Sequence, residues 1–156
     1  MQKPQGHILR ERDAKRLSRV YLEAAKFDER AEADISKIPL PDIDEQVQEM
    51  WELAEQNRVE LAAVMRDGKR IGTFVYSVLQ LYGKRTLWIV GIGADVGESP
   101  EGEFLFPELG FEIRRLAEAY CCEWVRADTS RPAVFALLVR LGFLPGTVQL
   151  YYPIKK

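Results

Sequence analysis

The sequence predicts a mixed α/β domain built on one sheet with helices on both faces. Three β-rich stretches in a row, Val59 to Arg66, Arg70 to Tyr82 and Arg85 to Gly93, are punctuated by the turn signals Asp67-Gly68 and Gly83-Lys84. Stretches with apolar residues at helical spacing precede them, and helical and strand patterns alternate after them. With 156 residues, 47% of them hydrophobic, and a formal net charge of −2, the chain reads as a single domain over residues 1–156. A chain of this length buries roughly 70% of the surface that it exposes when unfolded.

Taken in order, His7 to Arg10 is a short strand candidate. Asp13 can cap a helix carrying Leu17, Val20, Tyr21, Ala24 and Phe27 on one face. Residues 28–41 are polar, contain Pro39 and Pro41, and read as a connection. Asp42 or Asp44 then caps a helix with the stripe Ile43, Val47, Met50, Trp51 and Ala54. The three strands follow, the last apolar on both faces from Thr86 to Val90, as a doubly covered central strand is. A glycine- and acid-bearing loop, Ala94 to Glu103, leads to a helix with Pro107 in its first turn and the stripe Leu109, Ile113, Leu116, Ala117, Tyr120. Glu123 to Ala127 is a strand. Ser130 can cap a helix lined by Val134, Leu137, Leu138 and Leu141 and ended by Gly142, and Thr147 to Ile154 is the last strand. The predicted order is β-α-α-β-β-β-α-β-α-β.

The composition excludes several classes. The apolar fraction is too high and the net charge too low for intrinsic disorder. The longest apolar run, Leu87 to Val90 with its glycine-broken extension, is far short of the ~20 residues of a transmembrane helix. The first residues lack the apolar core of a secretory signal. The only cysteines, Cys121 and Cys122, are adjacent and cannot staple a fold. They point to a reduced, cytoplasmic setting and read as buried filler. His7 is the only histidine, which argues against a histidine dyad or a metal cluster. Near-neutral charge argues against dedicated nucleic-acid binding. Trp51, Trp88 and Trp124 read as core anchors.

Charge is unevenly placed. Seven acids (Asp42, Asp44, Glu45, Glu49, Glu52, Glu55, Glu60) stand against Arg58 alone between residues 42 and 60. Beyond Asp128 there is no acid, but there are Arg131, Arg140, Lys155 and Lys156. Such clusters are commonly solvated faces. The alternative is an acidic rim that receives a cationic partner.

Two stretches add a resemblance to the order of elements. Ile8-Leu9-Arg10-Glu11-Arg12-Asp13-Ala14 and the late Arg131 to Phe143, ending in Leu141-Gly142-Phe143, are similar to the first strand-helix junction and the late helix of the GNAT acyltransferase superfamily. The resemblance covers almost the whole chain and implies the GNAT fold with acetyl-CoA as cofactor. It further implies that the backbone of Ile89, Val90, Gly91, Ile92 and Gly93 takes the pantetheine arm, and that N–H groups at Gly102, Glu103 and Phe104 take the pyrophosphate. Asp95 or a bound water would be the base and Tyr151 or Tyr152 the acid. In a non-functional role, Asp95 is a loop cap, and Tyr151 and Tyr152 point to opposite faces of a strand. Gly91-Ile92-Gly93 by itself marks a bulge or a close backbone approach.

The sequence departs from the family pattern at two places. The expected pyrophosphate loop, Gly97 to Phe106, has no Arg, Lys or Gln. It carries Glu98, Glu101 and Glu103, together with Pro100, which has no N–H. Leu138 stands where the family commonly has a proton-donating Tyr. These departures favour a degenerate site with weak or absent acetyl-CoA binding, in a chain acting as a protein-binding or assembly module. That module would use the acidic face around Glu45, Glu49 and Glu52 or the basic C-terminal end. The alternative is a working N-acetyltransferase acting on an amine of a small molecule or protein. Asp128-Thr129-Ser130 also looks like the strand exit of GNAT-like virion-assembly and internal proteins of short-tailed phages, which would place the chain in the host cytoplasm or the virion. A homo-oligomer through an exposed C-terminal sheet edge is compatible with either role.

Overall fold

The computed structural model describes residues 20–38, 40–94, 102–128, 138–140, 142–145 and 154, with backbone alone at 94 and 102–107. Among the described residues five strands form one sheet in the order β1-β2-β3-β4-β5. They are β1 (Val20–Ala25), β2 (Glu60–Arg66), β3 (Lys69–Leu81), β4 (Lys84–Ala94) and β5 (Trp124–Ala127). The first four pair antiparallel and β5 joins β4 in parallel. Among the described residues the helices α1 (Glu29–Ser36), α2 (Ile43–Glu55) and α3 (Gly102–Ala119) give, with these strands, the order β-α-α-β-β-β-α-β, and residues 138–140 are also helical. The expected last helix and strand lie mostly outside the described residues.

The β2-β3-β4 meander follows from its turns. Asp67 and Gly68 have φ of 49° and 81°, Tyr82 and Gly83 of 51° and 77°. Two consecutive residues of positive φ give a turn whose twist matches that of the strands it joins. Both faces of the sheet are covered. On one, α3 lays Leu109, Ile113, Leu116, Ala117 and Tyr120 against Val20, Leu22, Ala62, Val64, Phe74, Tyr76 and Leu87. On the other, α1 and α2 lay Ala31, Ile35, Val47 and Met50 against Leu61 and Val75.

The N-terminal assignments are corrected. Val20, Tyr21 and Ala24 belong to strand β1, and residues 7–19 lie outside the described residues. Val20–Ala25 fits both periods, with Val20 and Leu22 alternating inward. Pairing of all six residues with Arg66 back to Leu61 decides for the strand. The expected connection at 28–41 contains α1. Asp28 caps it, accepting a 2.9 Å bond from Ala31 N, and only a narrow stripe, Ala31 and Ile35, faces the core. Helix α3 starts at Gly102, so Pro107 is inside it and removes the donor for the Glu103 carbonyl.

The three tryptophans are not buried anchors. Trp124 is 50% exposed. Trp51 and Trp88 are half-buried and donate their indole N–H to Glu32 Oε1 at 2.8 Å and Asp128 Oδ2 at 3.1 Å. An indole carries a polar donor, which favours sites at the core boundary. The cysteines are not buried filler either. Cys121 is exposed and closes α3 with φ of 59°, and Cys122 is half-buried. Burial raises the Cys122 thiol above its ordinary range, partly opposed by Arg85. Gly142 ends the late helix as expected: Gly142 N donates to Val139 O and Phe143 N to Leu138 O, both at 3.0 Å. Leu138 is half-buried.

Inside the α3-side core, the hydroxyls of Tyr76 and Tyr120 stand 3.2 Å apart. Burial, and after it the hydrogen bond with Tyr120, push the Tyr76 phenol far above the usual tyrosine range. The folded chain therefore keeps a proton that the unfolded chain releases near pH 10. The stability that depends on this proton is complete below about pH 10 and is lost as pH rises further. Urea unfolding between pH 8 and 11 should show stability falling at the alkaline end, and Tyr76→Phe should flatten that fall.

Candidate functional site

The site expected from the sequence lies where β4 runs past β5. The parallel ladder pairs Thr86 with Trp124, Leu87 with Val125, Trp88 with Arg126 and Ile89 with Ala127, and then stops. Among the described residues, β4 has no ladder partner on that side from Val90 to Ala94. On its other side β4 stays paired with β3, but the register shifts: Ile89 faces Tyr76 and Gly91 faces Val75. Val90 is thus the extra residue of a β-bulge, a feature that bends and twists the strand carrying it. The result is a notch with backbone N–H and C=O groups on one wall.

Of the residues expected to hold pantetheine, Ile89 is the last paired with β5, and Val90, Gly91, Ile92 and Gly93 line the wall beyond it. Gly102, Glu103 and Phe104 form the first turn of α3, whose leading N–H groups have no helical partner. Asp95, Tyr151 and Tyr152 lie outside the described residues. The backbone wall fits an extended, amide-bearing arm such as pantetheine. At the anionic end the helix start suits a phosphate, but Glu98, Glu101 and Glu103 in the sequence oppose it.

Glycines 91 and 93 serve helix packing. A Cβ on Gly93 would overlap the Asp34 backbone carbonyl and come 2.8 Å from Ile35 Cα. One on Gly91 would stand 3.0 Å from the Met50 methyl. So α1 rests directly on β4, the close approach that Gly-x-Gly suggested. The Asp34 side chain, only 2% exposed, locks this seat. It accepts from Thr73 Oγ1 at 2.8 Å and from Arg30 Nε at 2.9 and 3.0 Å. Arg70 Nη2 donates to Thr73 Oγ1, and Arg30 Nη2 to the Arg70 carbonyl, both at 2.8 Å. Sequence reasoning missed this network; the i, i+4 pair Arg30 and Asp34 was its signal.

A second missed group stands at the mouth of the notch. Asp128, just after β5, accepts from Trp88 Nε1 at 3.1 Å and from Arg126 Nε at 3.3 Å. The Arg126 guanidinium lies 6.0 Å from the centre of the Trp88 ring. Leu87 and Ile89 pack on the α3 side, so Trp88 between them faces the α1 and α2 side. On that side Asp44, Glu45, Gln48, Glu49 and Glu52 line one shallow groove of α2. Among the described residues no group of three or more His, Cys, Asp or Glu is placed to hold a metal ion, and no helix is long and apolar enough to cross a membrane.

Glycine seating at β4 has a measurable cost. Gly93→Ala sets a methyl against backbone that cannot turn aside, and should lower unfolding stability in urea by about 3 kcal/mol. Gly91→Ala meets only the flexible end of Met50 and should cost about 1 kcal/mol.

No protein-family model and no curated protein matches the chain. Solved structures do resemble it. AAC(6')-Iy, in complex with the bisubstrate analogue CoA-S-monomethyl-acetylneamine, has a TM-score of 0.55 at 16% identity, over 89% of this chain and 100% of that one. The aminoglycoside 6'-N-acetyltransferase of Acinetobacter baumannii has a TM-score of 0.54 at 16% identity, over 88% and 99%. An acetyltransferase of Trypanosoma brucei has a TM-score of 0.52 at 14% identity, over 86% and 99%. With the sheet order, the parallel β4-β5 pair and the helices on both faces, these likenesses establish that the chain has the fold of the GNAT acetyltransferases.

Proposed function

We propose that the chain is an acyl-CoA-dependent N-acyltransferase with an amine as acceptor. The observation that carries this reading is the notch: β4 parts from β5 after Ile89 and bulges at Val90. A flat, fully paired β4-β5 edge would offer no polar backbone to a ligand. Here the wall from Val90 to Gly93 can exchange hydrogen bonds with the amides of a pantetheine arm. The first-turn N–H groups of Gly102, Glu103 and Phe104 can meet its phosphate end. A CoA thioester, when bound, supplies the activated acyl group. Asp95, or a water held near it, would take the proton from the attacking amine, and Tyr151 or Tyr152 would protonate the departing sulfur. That one neighbour in fold carries the bisubstrate analogue CoA-S-monomethyl-acetylneamine, and that another is an aminoglycoside antibiotic 6'-N-acetyltransferase, supports acetyl-CoA as donor and a cationic amine as acceptor.

A second reading rests on different residues. Glu98, Glu101 and Glu103 with Pro100 in the phosphate loop, and Leu138 in place of a tyrosine, favour a site too poor to hold acetyl-CoA. The chain would then serve as a protein-binding or assembly module, such as a phage virion-assembly protein. Its acidic groove at Glu45, Glu49 and Glu52 is suited to a cationic partner.

Calorimetric titration with acetyl-CoA and with CoA separates the two. The acyltransferase reading expects dissociation constants in the micromolar range. It also expects acyl transfer to an amine that Asp95→Asn slows by about 100-fold or more. No heat of binding at millimolar acetyl-CoA would overturn it in favour of the module. Charge reversal of Glu45 and Glu49 should then abolish partner capture.

A further inference from the structure

The group at the mouth of the notch has the form of a cation receptor with its cation in place. Trp88 offers an aromatic face and Asp128 a carboxylate, the two joined by the indole N–H bond of 3.1 Å. An aromatic face beside a carboxylate is a recurrent way to hold an ammonium or guanidinium group. Both are met by Arg126, 6.0 Å from the ring centre and 3.3 Å from Asp128 Oδ1. Position makes this more than a surface ion pair. Trp88 and Arg126 are register partners one step before the last β4-β5 pair, so the group borders the opening. It lies on the sheet face that α1 and α2 cover, and the solvent face of α2 carries Asp44, Glu45, Glu49 and Glu52, a negative charge whose long-range field attracts cations. The Arg126 side chain is 34% exposed and that of Asp128 52% exposed. Solvent-exposed pairs of this kind are weak and exchangeable.

We infer that Trp88 and Asp128 form a cation subsite for the acceptor, and that Arg126 fills it as an internal competitor until a cationic amine displaces it. The inference rests on the acyltransferase reading and narrows its acceptor class. A nitrogen must be neutral to attack a thioester, whereas a group held by Trp88 and Asp128 must stay charged. The acceptor is therefore an amine with a second, permanently protonated or guanidinium group: a polyamine-like molecule or a basic side chain with a neighbouring cation.

The test is binding of spermidine to the whole chain, without any CoA compound and at constant ionic strength, followed by tryptophan fluorescence. The expected result is a saturable change that Trp88→Phe removes while Trp51 and Trp124 still emit. Asp128→Asn should weaken the affinity about fivefold or more, and Arg126→Gln should tighten it about threefold by removing the competitor. Thermal melts of both variants report that they are folded. An affinity unchanged by Asp128→Asn, or weakened by Arg126→Gln, would overturn the inference. Because no CoA is present, spermidine binding with this mutational pattern but no acetyl-CoA binding would leave the subsite standing and fell the acyltransferase reading. Acetyl-CoA binding without a spermidine response would do the reverse.

Discussion

The contact on which the rest of the architecture depends is the seating of α1 on β4. Gly93 brings no side chain to the contact, so the backbone of Asp34 and Ile35 rests directly on the strand. The same residue, Asp34, then ties the helix to β3 through Thr73, with Arg30 and Arg70 closing the circuit. A carboxylate this deeply placed is tolerable only because its oxygens are met by charged and polar donors. The helix is therefore held at one distance and one register. With α1 fixed on one face and α3 packed on the other, the far half of β4 has its course set from both sides.

That course creates the notch. A bulge at Val90 bends β4 where β5 ends its pairing, and polar backbone is left along one wall. A ligand arm recognised this way is held by main-chain groups, which every amino acid supplies. The backbone course that makes the notch can therefore be kept while side chains diverge to the 11–16% identity seen with solved structures of the same fold. Side chains enter where charge must be read. The sequence around the start of α3 carries Glu98, Glu101 and Glu103, and under the proposed reading these acids would oppose an anion there.

Local signals translated directly into structure wherever a turn or a full apolar stripe was present. Asp67-Gly68 and Gly83 made the two hairpins, and the stripe from Leu109 to Tyr120 went wholly into the core. Signals failed where two periods coexisted or where burial was narrow. Val20–Ala25 satisfied a helix template and a strand template alike, and α1 hid its two core residues in a polar stretch. Among the described residues the order of elements is still a strand followed by two helices, with Val20 thirteen residues beyond the expected strand start at His7, which itself lies outside the described residues. The tryptophans sit at the core boundary for a related reason: their apolar area alone favours burial, but the indole donor needs a partner, and in Trp51 and Trp88 it meets Glu32 and Asp128.

By itself the sequence determined the class of fold, the meander, the α3 stripe and the close approach at Gly-x-Gly, since each depends on residues near one another along the chain. Tertiary structure alone decided which period Val20–Ala25 would follow, where β5 leaves β4, and that Thr73 would meet Asp34 and Trp88 would meet Asp128. Those outcomes rest on partners about 40 residues apart in the chain. Their energies are those of pairing and desolvation between elements, and they come into being only when the sheet has assembled.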